Sequence, residues 1–166
     1  MTLSPLLVTD TNIWSDLING DIVEEIFFLP FHYISPEFAD LELPILQWEK
    51  LLGLGVEVMS LDGDQVRDIY LLRRAHHAVS TTDLASFILA RDLPAILLSG
   101  DKHLRLLAEM NAIEVHEVLW ILDQLIFHKV LNNGKAARAL NQMLANNARL
   151  PPNECEKRLK AWQSDP

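Results

Sequence analysis

Three aspartates sit where an apolar run gives way to a polar turn. They are Asp10 in Leu6-Leu7-Val8-Thr9-Asp10-Thr11-Asn12, Asp83 in Ser80-Thr81-Thr82-Asp83, and Asp101 in Ile96-Leu97-Leu98-Ser99-Gly100-Asp101. Asp10 and Asp101 follow short β-prone runs directly, which places both at the carboxyl ends of strands, the rim where open α/β sheets bind ligands. Carboxylates gathered on one rim repel each other unless a cation joins them, so the pattern points to a divalent-metal site. All three also precede helical segments, where aspartate is a favoured N-cap.

A fourth acid is offered by residues 35–43, which carry Glu37, Asp40 and Glu42. Read as a helix, Glu42 shares a face with Phe38, while Asp40 lies about 160° round the axis from Glu42. Only one of the two then faces the pocket; Glu42 is the choice and Asp40 the alternative. Thr9, Thr11, Asn12, Ser99 and Gly100 are small or polar and leave room for a ligand. Lys102 and Arg105 lie in the first turn after the rim, placed to contact phosphate. His76-His77 and His103 are read as surface or capping residues, and the four tryptophans as core anchors.

The elements that position these groups alternate between strand and helix. Strands are expected at residues 6–9, 31–34, 56–61, 95–98 and 113–115. Helices are expected at 13–18, 22–29, 35–43, 62–75, 82–91 and 101–110. Gly20 is expected to end the first helix as a left-handed cap, Asp21 to open the second, and Ser35-Pro36 to cap the third. Such alternation argues for a parallel sheet covered on both faces. Beyond Val118 the chain reads as helical, and residues 118–130 are apolar nearly all round, as in a helix buried against the sheet or a partner.

The chain of 166 residues is one domain's length, 49% hydrophobic and 22% charged, the balance of a soluble globular protein. A single cysteine excludes an internal disulfide and a cysteine zinc site. No signal peptide or membrane span is apparent, so a cytoplasmic location is expected. The net charge of −9 disfavours a nucleic-acid partner at first sight. Its distribution is uneven, with 7 Lys+Arg against 20 Asp+Glu in residues 1–128 and 7 against 3 in residues 129–166. Two readings stand side by side: a polyanion approaching along the C-terminal part, or a solvated helical surface; the charge does not decide between them.

Asp10-Thr11-Asn12 after a strand, followed by Ser35-Pro36-Glu37-Phe38-Ala39-Asp40-Leu41-Glu42-Leu43, resembles the opening of a PIN domain. Ser80 to Asp83, Ala85, Ala90, Leu98-Ser99-Gly100-Asp101-Lys102, Leu104-Arg105, Ala108 and Ile113-Glu114-Val115 are similar to that family's second half. The resemblance implies a three-layer α/β/α fold with a parallel sheet of four to five strands in residues 1–125. Residues 126–166 are then a helical extension packed on the same domain. It further implies a Mg²⁺- or Mn²⁺-dependent ribonuclease, many relatives being toxins of VapBC toxin–antitoxin pairs. Asp10, Glu42, Asp83 and Asp101 would be the four catalytic, metal-holding acids, with Asn12, Ser99, Lys102 and Arg105 positioning the RNA. Cleavage would leave a 5′-phosphate and a 3′-hydroxyl, and a cognate antitoxin or a second copy of the chain would be the protein partner. Two other classes stand beside it: a PIN-like binding module with little or no catalysis, and another Mg²⁺ enzyme on a doubly wound sheet. Against the latter, no acidic pair adjoins the first strand end, and position 12 is asparagine.

Overall fold

The computed structural model describes residues 4–164; the outermost residues of both expected segments, 1–3 and 165–166, lie outside the described residues. Strands β1 (Leu6–Thr9), β2 (His32–Pro36), β3 (Glu57–Met59), β4 (Ile96–Leu98) and β5 (Val115–His116) form one parallel sheet in the order β3-β2-β1-β4-β5. In register, Leu7 faces Tyr33 and Ile96, and Val8 faces Ile34 and Leu97. Successive strand residues point to opposite faces. Leu7, Tyr33 and Leu98 accordingly enter one apolar core, while Val8, Ile34 and Leu97 enter the other. Both faces are apolar because both are covered, as parallel sheets require.

The first core is closed by α1 (Thr11–Asn19), α2 (Ile45–Leu54), α6 (Val118–Phe127) and α7 (Asn133–Ala145), with α8 (Pro152–Ser164) packed on α7. The second is closed by α3 (Gly63–Ala75), α4 (Thr81–Asp92) and α5 (Lys102–Met110). This is a three-layer α/β/α fold with five strands. Residues 84–90 of α4 are all buried, since the helix lies between the sheet on one side and α3 and α5 on the others. The buried face of α6, Val118, Leu119, Ile121, Leu122 and Leu125, is taken up by the chain's own α1, α7 and residues 25–28, while Phe127 stays exposed. Among the described residues no helix is long and apolar enough to cross a membrane.

Four local expectations are corrected. Gly20 ends α1 with an ordinary right-handed backbone (φ −78), and the positive φ falls on Asp21 (φ 55). Gly20 is small because α7 lies against it: an added Cβ would stand 2.6 Å from Met143 Cε and 3.3 Å from the Ala139 carbonyl oxygen. The stretch after Asp21 holds only a 3-10 turn, Glu25–Phe28. Ser35-Pro36 does not cap a helix, because pairing with Val58 and Met59 draws both residues into β2. The next element along the chain is a 3-10 turn, Glu37–Leu41, and not an α-helix.

Candidate functional site

The order of the strands reverses beside β1: the chain builds outward to β2 and β3, then returns to place β4 on the other side. Such a switch point opens a crevice at the carboxyl ends of the strands. Asp10 leaves β1 at this crevice, its amide donating to the Leu98 carbonyl of β4 at 3.1 Å. Its Oδ1 caps α1 by accepting the Ile13 amide at 3.0 Å. The other oxygen, Oδ2, is buried without a hydrogen-bond partner, and the residue is only 3% exposed. From β4, Ser99 Oγ accepts the Asp101 amide at 3.1 Å, and Asp101 Oδ1 caps α5 through the Leu104 amide at 2.8 Å.

Asp83 is not a cap. Ser80 holds that position in α4, its Oγ accepting the Asp83 amide at 3.1 Å, which leaves the Asp83 carboxylate free of the helix end. Glu42 comes after the 3-10 turn, so α-helical angles do not apply to it, and Phe38 is exposed instead of buried beside it. Glu42 nevertheless reaches the crevice: Thr11 Oγ1 donates to its Oε2 at 2.5 Å. Asp40 is exposed, on the same turn.

The electrostatics tie these groups together. Burial pushes the Asp10 carboxyl up to about 7; the Ser99 hydroxyl and the Ile13 amide oppose that, and the charges of Asp83 and Asp101 add to it. Asp83 is held above the usual carboxylate range by burial, against the Ser80 hydrogen bond, with the charges of Asp101 and Glu42 contributing. A carboxylate raised in this way awaits a proton or a cation. Among the described residues, no group of three or more acidic, histidine or cysteine side chains is arranged to hold a metal ion. Several of the oxygens are turned to internal donors, in the caps of α1 and α5 and the Thr11–Glu42 bond. The donor chemistry itself suits a hard divalent ion, all oxygen with one buried lone-pair oxygen unspent.

Beside the crevice lies a cavity of about 620 Å³ between α1, the start of α5 and the turn joining α7 to α8. Asn12, Asp101 and Lys102 line it, together with Asp16, Glu117 and Arg149, which the sequence motifs do not single out. Asp16 stands four residues after Asn12, hence on the same face of α1, and that spacing is the one signal in the sequence for it. Lys102 is exposed, whereas Arg105 is paired with Glu117 at 3.5 Å and so is drawn toward α6.

A family model described as DUF3368: PIN domain matches residues 49–164, a span that includes Asp83 and Asp101. No curated protein matches the chain. Among solved structures, the chain is similar to a PilT N-terminus domain protein of the archaeon Sulfolobus solfataricus P2. The two share 12% identity and a TM-score of 0.47, over 71% of this chain and 91% of that one. With most of its length matched by that model, this chain belongs to the PIN-domain family, whose fold is of the nuclease type.

Proposed function

We propose that the protein is a Mg²⁺- or Mn²⁺-dependent endoribonuclease that hydrolyses RNA phosphodiester bonds at the β1–β4 crevice. The observation that carries this is Asp10: a carboxylate only 3% exposed, pushed up to about 7 by burial and further by the charges of Asp83 and Asp101. Asp10, Asp83, Asp101 and Glu42 are the acids that would hold the ion. Bound metal would neutralise charge at the phosphate and lower the pKa of the attacking water. Thr11 fixes Glu42, Ser99 fixes the Asp101 backbone, and Asn12 and Lys102 face the space where the strand would run. Arg105, paired with Glu117, would reach a phosphate only on leaving that pair. The VapBC toxin role is supported by the sequence resemblance, and a cognate antitoxin is expected to cover this crevice.

The test is incubation with single-stranded RNA and Mn²⁺, with and without a chelator, beside the Asp10→Asn, Asp83→Asn and Asp101→Asn proteins. Each substitution is expected to lower the rate at least about a hundredfold with the fold retained. Cleavage that survives the chelator, or all three substitutions, sinks the proposal.

A second reading, a PIN-like binding module, is favoured by apolar side chains left exposed near Glu42: Leu41 (80%), Ile45 (71%) and Leu46 (77%). A protein partner or a second copy would cover them. Calorimetric titration with Mn²⁺ separates the two, since a module of that kind requires no metal.

A further inference from the structure

We propose that the 620 Å³ cavity is a base-reading subsite that takes one unpaired guanine of the RNA strand, with Asp16 reading the base and Arg149 holding the neighbouring phosphate. This rests on the nuclease reading and names what that site would recognise. Asn12 and Asp101 border both the crevice and the cavity, so a strand with a phosphate at the crevice has the adjoining base within reach of the cavity. The volume falls within the roughly 300–1,000 Å³ of ligand pockets. Sequence-specific readers of single-stranded RNA splay bases into such pockets and bond their edges.

The chemistry of the walls selects the base. Three carboxylates line the cavity, and two are engaged: Asp101 caps α5, and Glu117 pairs with Arg105. Asp16 has no cation and no donor among the described residues, and burial alone pushes its carboxyl to about 6. A half-buried carboxylate without donors is costly until a ligand supplies them. Guanine is the RNA base that presents two adjacent donors, N1–H and N2–H, matching the two carboxylate oxygens. Adenine and cytosine set an acceptor beside their amino group, and uracil sets its N–H between two acceptors; each would turn a lone pair toward the carboxylate. Arg149 is exposed on the opposite wall, where the left-handed residue Asn147 (φ 66) turns the chain between α7 and α8. Its planar fork suits a phosphate.

The test is titration of the metal-free protein, chelator present, with the four ribonucleoside 5′-monophosphates. Guanosine monophosphate is expected to bind about tenfold tighter than the others. Asp16→Asn offers a carbonyl beside an amino group and is expected to shift preference to adenosine or cytidine monophosphate. Its melting temperature should hold or rise, because an unpaired charge is removed. Arg149→Ala is expected to weaken all four by a similar factor with the ranking kept. Equal affinities, no binding, or a guanine preference unchanged in Asp16→Asn overturns the subsite. Guanine-selective binding by a protein that cuts no RNA with Mn²⁺ keeps the subsite and overturns the nuclease reading; cleavage without base preference does the reverse.

Discussion

Asp10 divides its two oxygens between unlike tasks, and the division can be measured. Oδ1 caps α1, while Oδ2 is buried and unpaired. Its carboxyl sits at about 7 in the fold against an ordinary 3.8, so the folded chain holds this proton more tightly than the unfolded chain does. The group is therefore harmless to stability below about pH 4, costs progressively more as pH rises through 7, and costs its full amount above that, on the order of 4 kcal/mol as an upper bound. Asparagine keeps the cap and carries no charge. Metal-free Asp10→Asn is expected to lose this part of the pH dependence and to melt above the parent protein at pH 8, as followed by circular dichroism. A lower melting temperature at pH 8 would mean that the ionised carboxylate is needed for the fold. Asp10 and Asp101 are legible in the sequence because each caps a helix soon after a strand, Asp10 directly after β1 and Asp101 three residues beyond the end of β4. The freedom of Asp83 from its helix end is not, since Ser80 and Asp83 are both acceptable caps and only the backbone decides. Asp16 gives little sign of itself in the sequence beyond its spacing from Asn12, because the other walls of its cavity come from residues 100–103, 117–118 and 146–150.

The helices and strands illustrate where local rules lose to tertiary contacts. Ser35-Pro36 has the form of a helix start, yet pairing with β3 claims both residues. Only residues 37–43 remain before Pro44, and over Glu37–Leu41 the chain takes the tighter 3-10 path. The strand–helix alternation is legible where central strands are buried on both faces and leave continuous apolar runs, as at β1 and β4, but helix α2 and the two 3-10 turns are not legible in this way. Gly20 does mark the end of α1, but its size serves α7 and not a left-handed turn. Gly20→Ala is expected to cost about 1–3 kcal/mol, since Met143 can yield but the Ala139 carbonyl cannot. Gly53 in α2 has open space around its Cβ position, and Gly53→Ala is expected to gain up to about 1 kcal/mol. Urea denaturation of the pair checks both; equal effects would discount the contact with α7.

For the molecule as a whole, the uneven charge suggests a basic C-terminal surface open to a polyanion. The fold spends part of that charge internally: Arg158 is held by Asp123 at 2.7 Å and Glu154 at 2.9 Å, and Lys160 pairs with Glu156 at 2.9 Å. With Lys102 and Arg149 as the phosphate contacts, the logarithm of RNA affinity should fall with the logarithm of salt at a slope of about −1.4. Anisotropy titrations of the Asp83→Asn protein, with chelator present, across salt concentrations measure it; a slope steeper than about −3 would place the helical tail on the strand.

The pairing of β1 with β4 has a bearing on how such a protein is made. Asp10 comes from the first tenth of the chain, but the neighbour that closes the crevice beside it, Asp101, comes only after β4 has formed. A growing polypeptide on the ribosome carries the opening acids long before their counterparts emerge. Long-range parallel pairing is also slow to form. If the proposed nuclease activity holds, an enzyme dangerous to RNA is thus kept latent by its own topology while it is being translated, and is armed only once the second half has been threaded into the sheet.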